Sequence, residues 1–177
     1  MACVAMQLLP HPQTPHMAIH AVTAEFEQTR TRLSCRYMIE GAAKALMWEQ
    51  GEPGRADELW RHTCCELFVM AEAGGYLEFN FVPSGQWAAY RFDGYRSGMR
   101  DLELVAPKLM VDRGDKRLTL HAEVDLPAIA SIAVGLSAVI ETADGAKSYW
   151  ALAHPPGKPD FHHSDCFALK LPAAGGA

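Results

Sequence analysis

Glu66, Glu78, Asn80 and Arg91 have the types and spacing that carry the clearest chemistry in this chain, on strands that also hold Trp60 and His62. Carboxylates, an amide and a guanidinium on one surface can hydrogen-bond paired hydroxyl groups, and an indole beside them offers a flat apolar platform. That combination suits a small polar ligand, a saccharide above all. A sugar presents hydroxyls at its edge and C–H bonds on its face. The competing expectation is internal pairing, with Glu78 and Arg91 as a cross-strand ion pair and Glu66 hydrogen-bonded to Asn80, because buried charge needs a partner.

Strand alternation must position these groups. Residues 60–92 read as three consecutive antiparallel strands. The AEAGG turn (71–75) pairs Met70 with Tyr76, so that Phe68 opposes Glu78 and Glu66 opposes Asn80. The Pro83-Ser84-Gly85-Gln86 turn is expected to pair Val82 with Trp87, which sets Asn80 opposite Ala89 and Glu78 opposite Arg91. In this register Cys65, Leu67, Val69, Leu77, Phe79, Phe81, Ala88, Tyr90 and Phe92 form a core face. The other face carries Trp60, His62, Cys64, Glu66, Phe68, Glu78, Asn80, Trp87 and Arg91.

Further strands are expected at His16–Phe26, Arg32–Glu40, Leu104–Val111, Arg117–Asp125, Ser131–Thr142, SYWALAH and Cys166–Leu171, with a helical turn or loop in 41–59. Nine or ten short strands with turns at this spacing predict one all-β domain. It would be an antiparallel β-sandwich of jelly-roll type with at most one or two short helices. Residues 1–15 and 172–177 read as flexible ends. Trp150, on the SYWALAH strand, is a second candidate platform.

The segment HPPGKPDFHHSD is a proline-stiffened loop whose His162, His163 and Asp165 join the candidate ligand-binding set. Adjacent extended residues point in opposite directions, so only one of the two histidines should face a given ligand. Zinc would need His62 and Cys64 with Cys166 or His162, without any tight ligand spacing. A structural calcium could draw on Asp57, Glu58, Asp160 or Asp165. Haem would need a methionine–histidine pair, but Met47, Met70, Met99 and Met110 read as core fillers and no CxxCH motif occurs.

No GxSxG, HExxH, P-loop or GxGxxG motif is present. Glu66 and Glu78 resemble a glycosidase carboxylate pair only in composition, and Cys64 and His62 are too far apart along one strand for a nucleophile pair. The reading is therefore a non-catalytic ligand-binding sandwich. A haem or metal protein and an enzyme acting on a sugar derivative are the alternatives.

The bulk numbers agree. A chain of 177 residues, 49% apolar, can bury a sizeable core. A net charge of −5 without a basic stripe argues against nucleic acid and anionic membrane as partners. The first residues show no basic n-region or sustained apolar run, so a cytoplasmic location is expected. Five cysteines without CxxC read as reduced, mostly buried thiols.

The strings LWRHTCCELFV, YLEFNFVPSGQWAAYRFDGYRSGM and YWALAHPPGKPDFHHSDCFAL resemble the bacterial DOMON-like proteins, related to the DOMON and family 9 carbohydrate-binding module superfamily. The resemblance runs from about residue 32 to 171. It rests on a tryptophan, an acidic residue on an apolar strand, a tyrosine-led strand and a PSGxW turn. It implies a jelly-roll sandwich whose ligand face takes sugars or haem.

Overall fold

A computed structural model describes residues 4–15, 17–126 and 131–171. It is all-β. The long strands are β1 (Val4–Pro10), β2 (Ile19–Gln28), β3 (Arg32–Gly41), β6 (Cys64–Ala71), β7 (Tyr76–Phe81), β8 (Gln86–Phe92), β10 (Lys108–Arg113), β11 (Arg117–Asp125), β12 (Ser131–Thr142) and β13 (Lys147–Ala151). Two-residue strands complete the order: β4 (Leu46–Met47), β5 (Gly54–Arg55), β9 (Arg100–Asp101) and β14 (Leu169–Lys170). The helical expectation for 41–59 reduces to single 3₁₀ turns at Ala43–Ala45 and Leu59–Arg61.

The strands form one curled sheet in the order β10-β11-β3-β2-β1-β13-β12-β6-β7-β8-β5, antiparallel apart from the short β5–β8 pair. The sheet folds over as a β-sandwich, and β1 is the link between its layers. Residues Val4 to Leu8 pair with β2, whereas Leu9 and Pro10 pair with β13. Residues 1–15 were expected to be a flexible end; from Val4 to Pro10 they instead close the two layers onto each other. The expected tail 172–177 lies outside the described residues, as does His16.

Between the layers, Val22, Leu33, Tyr37, Ile39, Leu118 and Leu120 pack against Leu67, Val69, Phe79, Phe81, Leu136 and Trp150, all at most 2% exposed. Each side is an i, i+2 set, as alternating strands require. Tyr37 crosses this core and donates its hydroxyl hydrogen to the Glu66 carbonyl at 2.5 Å. Tyr37→Phe should cost about 1 kcal/mol, the net worth of a neutral hydrogen bond. A shift of the urea midpoint at unchanged slope checks it; no shift would leave the bond without energetic weight.

The strand register decides which side chains leave this core. The β6–β7 pairing matches the sequence expectation, with Met70 opposite Tyr76, Phe68 opposite Glu78 and Glu66 opposite Asn80. The β7–β8 pairing differs by one residue: Phe81 opposes Trp87, Asn80 opposes Ala88 and Glu78 opposes Tyr90. The cause is the turn. The Val82 amide donates to the Gln86 carbonyl and Gly85 sits at φ 93°, closing a three-residue loop. A slip of one residue reverses every side chain of β8. Trp87 and Ala89 therefore join the inter-layer core, and Ala88, Tyr90 and Phe92 move to the face of Glu66 and Glu78.

Candidate ligand-binding site

The outer face of β12, β6, β7 and β8 is the floor of a cavity of about 690 Å³, a size suited to a small ligand. Glu66, Glu78, Tyr90 and Phe92 line it from the three-strand unit, and Val139 and Tyr149 from β12 and β13. Three segments rise around that floor: Asp57, Glu58 and Trp60 on one side, Arg96 to Asp101 on another, and Pro159 to His162 on the third.

Each wall is fixed by a specific contact. Tyr90 donates to Asp57 Oδ1 at 2.6 Å, which ties the 57–60 segment to the floor. Arg61 pairs with Glu58 at 2.6 Å and lies over the Trp60 ring, leaving the indole 50% exposed at the rim. Asp160 joins the other two walls. Its carboxylate accepts from Tyr95 Oη, from Arg96 Nη2 at 2.8 Å and from the His162 amide at 3.1 Å. Burial pushes the Asp160 carboxyl up, but these donors and the Arg96 charge hold it below the usual carboxylate range. The 159–167 segment seats closely on the sheet at Gly135, where a Cβ would lie 3.1 Å from the Cys166 carbonyl.

A chain of hydrogen bonds defines the histidine. Tyr76 Oη accepts from the Arg96 amide at 3.2 Å, so its hydrogen goes to His162 Nδ1 at 2.7 Å. The imidazole is then the Nε2–H tautomer, with Nε2 directed at Glu78 Oε2 across 3.7 Å. Burial and the Arg96 charge lower the His162 pKa to about 4, so the ring is neutral.

The two floor carboxyls behave oppositely to Asp160. Glu66 and Glu78 are 3% and 4% exposed. Burial pushes Glu78 up to about 7, against the opposing pull of the Asn80 amide, which donates to Glu78 Oε1 at 3.1 Å, and of Arg96. Glu66 is raised well above a normal glutamate by burial and by Glu78, with Arg96 opposing. The Asn80 carbonyl oxygen and the Ser137 hydroxyl, on either side of Glu66 across the sheet, are buried without a hydrogen-bond partner among the described residues.

Of the residues expected at the site, Trp60, Glu66, Glu78 and His162 meet at the cavity. Asn80 lies on the same face, fully buried beside Glu78 rather than at the cavity wall. Arg91 does not reach this face, because the β8 register puts it on the side of Trp87 and Ala89, at its exposed edge, and the expected Glu78–Arg91 ion pair gives way to Glu78 opposite Tyr90. Trp150 is no platform: it is 2% exposed in the inter-layer core, its indole donating to Ser148 at 2.9 Å. His62 is held away from the cavity by Glu141 at 2.5 Å and Glu49 at 3.6 Å. His163 and Asp165 pair with each other at 3.6 Å outside the cavity, so of the adjacent histidines only His162 faces it. Tyr90, Phe92 and Arg96 went unrecognised; only the turn chemistry at Gly85 could have placed the first two.

No family model matches the chain, and no curated protein matches it. A candidate carbohydrate-binding protein from Bacteroides uniformis ATCC 8492 superposes with a TM-score of 0.66 at 12% identity, over 93% of this chain and 84% of that one. The two chains share a fold. A family 9 carbohydrate-binding module from Caldicellulosiruptor kristjanssonii with bound cellotriose superposes less closely, with a TM-score of 0.45 at 7% identity over 77% and 67% of the two chains. The same module with glucose gives 0.45 at 6% identity, over 77% and 69%.

The metal expectations do not assemble. Among the described residues, no group of three or more His, Cys, Asp and Glu stands close enough to hold an ion. Asp57, Glu58, Asp160 and Asp165, the calcium candidates, are each engaged by a different partner. Cys64 and Cys166 are buried thiols, free like Cys35 and Cys65. Met99 and His162 do line one cavity, but His162 Nδ1 is bonded to Tyr76 and Nε2 faces Glu78, an arrangement that does not fit an iron ligand. Met47, Met99 and Met110 are about half exposed, not core fillers. No described helix is long and apolar enough to cross a membrane.

Proposed function

We propose that the chain is a carbohydrate-binding module-like sandwich that holds a small saccharide in the cavity above Glu66 and Glu78, by recognition and without turnover. One observation carries the reading: a ligand-sized cavity combines an exposed indole at its rim with two buried carboxyls on its floor. Trp60 stacks on the apolar face of the ring, while Glu66, Glu78 and His162 Nε2–H take its hydroxyls. The fold shared with a candidate carbohydrate-binding protein supports the same reading. The DOMON-like resemblance, the jelly-roll description and a cytoplasmic location belong to this proposal, as does the absence of nucleic-acid and membrane partners.

Calorimetric titration with a panel of mono- and disaccharides tests it. Trp60→Ala should weaken whichever sugar binds by about tenfold, since aromatic stacking on a ligand contributes roughly 1–2 kcal/mol. The melting temperature should stay within about 1 °C, because the side chain is half exposed. Unchanged affinity in this variant would remove Trp60 from the site.

A further inference from the structure

The cavity floor is acidic and carries no cation of its own. Glu66 is 3% exposed, lines the cavity and makes no side-chain hydrogen bond among the described residues. Glu78 has the Asn80 amide at 3.1 Å, and its nearest basic nitrogen is His162 Nε2 at 3.7 Å, on a ring whose other nitrogen accepts from Tyr76.

The groups facing this pair from the surrounding walls compensate it only in part, through the charge of Arg96. From the 57–60 segment come two more acids, Asp57 and Glu58. The two guanidiniums of the 96–101 wall are already taken, Arg96 by Asp160 at 2.8 Å and Arg100 by Asp93 at 2.8 Å, and Asp101 adds another carboxyl there. The remaining wall supplies Asp160 and the neutral His162. A neutral sugar can satisfy the hydrogen bonds of the floor but offers an ionised carboxylate there no counter-charge. An ammonium supplies both, because it brings three donors and the missing positive charge. The rings of Trp60, Tyr149 and Phe161 around the same space favour a cation further.

On the saccharide reading above, we infer that the ligand carries a free amine, and that an amino sugar places its ammonium between the Glu66 and Glu78 carboxyls. Binding then draws one of the two acids into its ionised form, as the counter-charge of the single ammonium, and releases its proton to the buffer.

The test is calorimetry at pH 6 with glucosamine and its β-1,4-linked disaccharide against their N-acetyl counterparts, glucose, cellobiose and putrescine. The amino sugars should bind at least about tenfold tighter than the N-acetyl and neutral sugars, the scale of a buried charge pair. About one proton should be released, read as a heat that varies with the ionisation enthalpy of the buffer. Glu66→Gln should shrink the amine preference to within about threefold. Equal affinity for amine, N-acetyl and neutral sugars, or binding without proton release, overturns the amine inference and leaves the saccharide reading standing. Putrescine binding as tightly as glucosamine removes the sugar from the proposal. Failure of every sugar to bind removes both readings.

Discussion

Glu78→Gln should leave stability almost unchanged at pH 4 and raise it by about 3 kcal/mol at pH 8, or roughly 6–12 °C in melting temperature for a domain of this size. Folding raises the Glu78 pKa from 4.5 to about 7. The folded chain therefore holds this proton more tightly than the unfolded one. The stability so contributed is complete below about pH 4.5 and is lost as the pH climbs through 7. Glutamine keeps the shape and the oxygen that accepts from Asn80, without the charge.

His162 has the opposite sign. Its pKa falls from 6.5 to about 4 on folding, so its contribution is present above 6.5 and lost as the pH falls through 4. In the wild-type chain His162 opposes Glu78 and Glu66 between about pH 4.5 and 6.5, which should offset part of their combined slope there. In Glu78→Gln only Glu66 still opposes His162, so the profile across that window should turn upward relative to the wild type. Thermal melts of both proteins from pH 4 to 8 decide the matter. A variant that loses stability at both ends would show that the carboxylate is internally compensated, and the cavity would lose its acidic character.

Asp160→Ala should produce the second large effect, lowering stability by about 2–4 kcal/mol and weakening ligand binding by at least about tenfold. One carboxylate receives the Tyr95 hydroxyl, the Arg96 guanidinium and the His162 amide, and so locks two walls of the cavity to each other. Removing it leaves Arg96 uncompensated in a half-buried position and frees both segments. Asp160→Asn should fall between, since one amide oxygen can still accept but the charge is gone. Denaturant melts together with titrations of each variant separate the two losses. A stable Asp160→Ala protein with wild-type affinity would mean that the walls are positioned by packing alone.

Fold class was legible in the chain because period-2 alternation and turn residues are local signals. Leu33, Cys35, Tyr37 and Ile39 on one strand, or Leu118, Leu120, Ala122 and Val124 on another, declare a buried face without any knowledge of the partner. The β6–β7 register was legible for the same reason, since the AEAGG turn fixes it from within. Pro83-Ser84-Gly85-Gln86 was harder. The choice between a three- and a four-residue loop rests on Gly85 taking a positive φ, and that choice moved Arg91 off the site and Tyr90 and Phe92 onto it.

Val4–Pro10 was missed because a strand that divides its pairing between two layers looks like any short apolar run near a terminus. The walls were illegible in principle. Arg96 and Asp160 are 64 residues apart, and nothing local couples a loop arginine to a loop aspartate at that separation. Trp150 shows the converse limit: an indole on a strand can be platform or core, and only the far layer decides.

A saccharide should sit in the cavity above Glu66 and Glu78. Titration of the ¹⁵N-labelled chain with a binding sugar, followed by amide and indole resonances, tests that most directly. Saturable shifts should appear at the Trp60 indole and at the amides of 57–60, 96–101 and 159–162, the segments that form the walls. Shifts confined to β10 and β11, on the far layer, with the Trp60 indole unmoved at saturation, would contradict it.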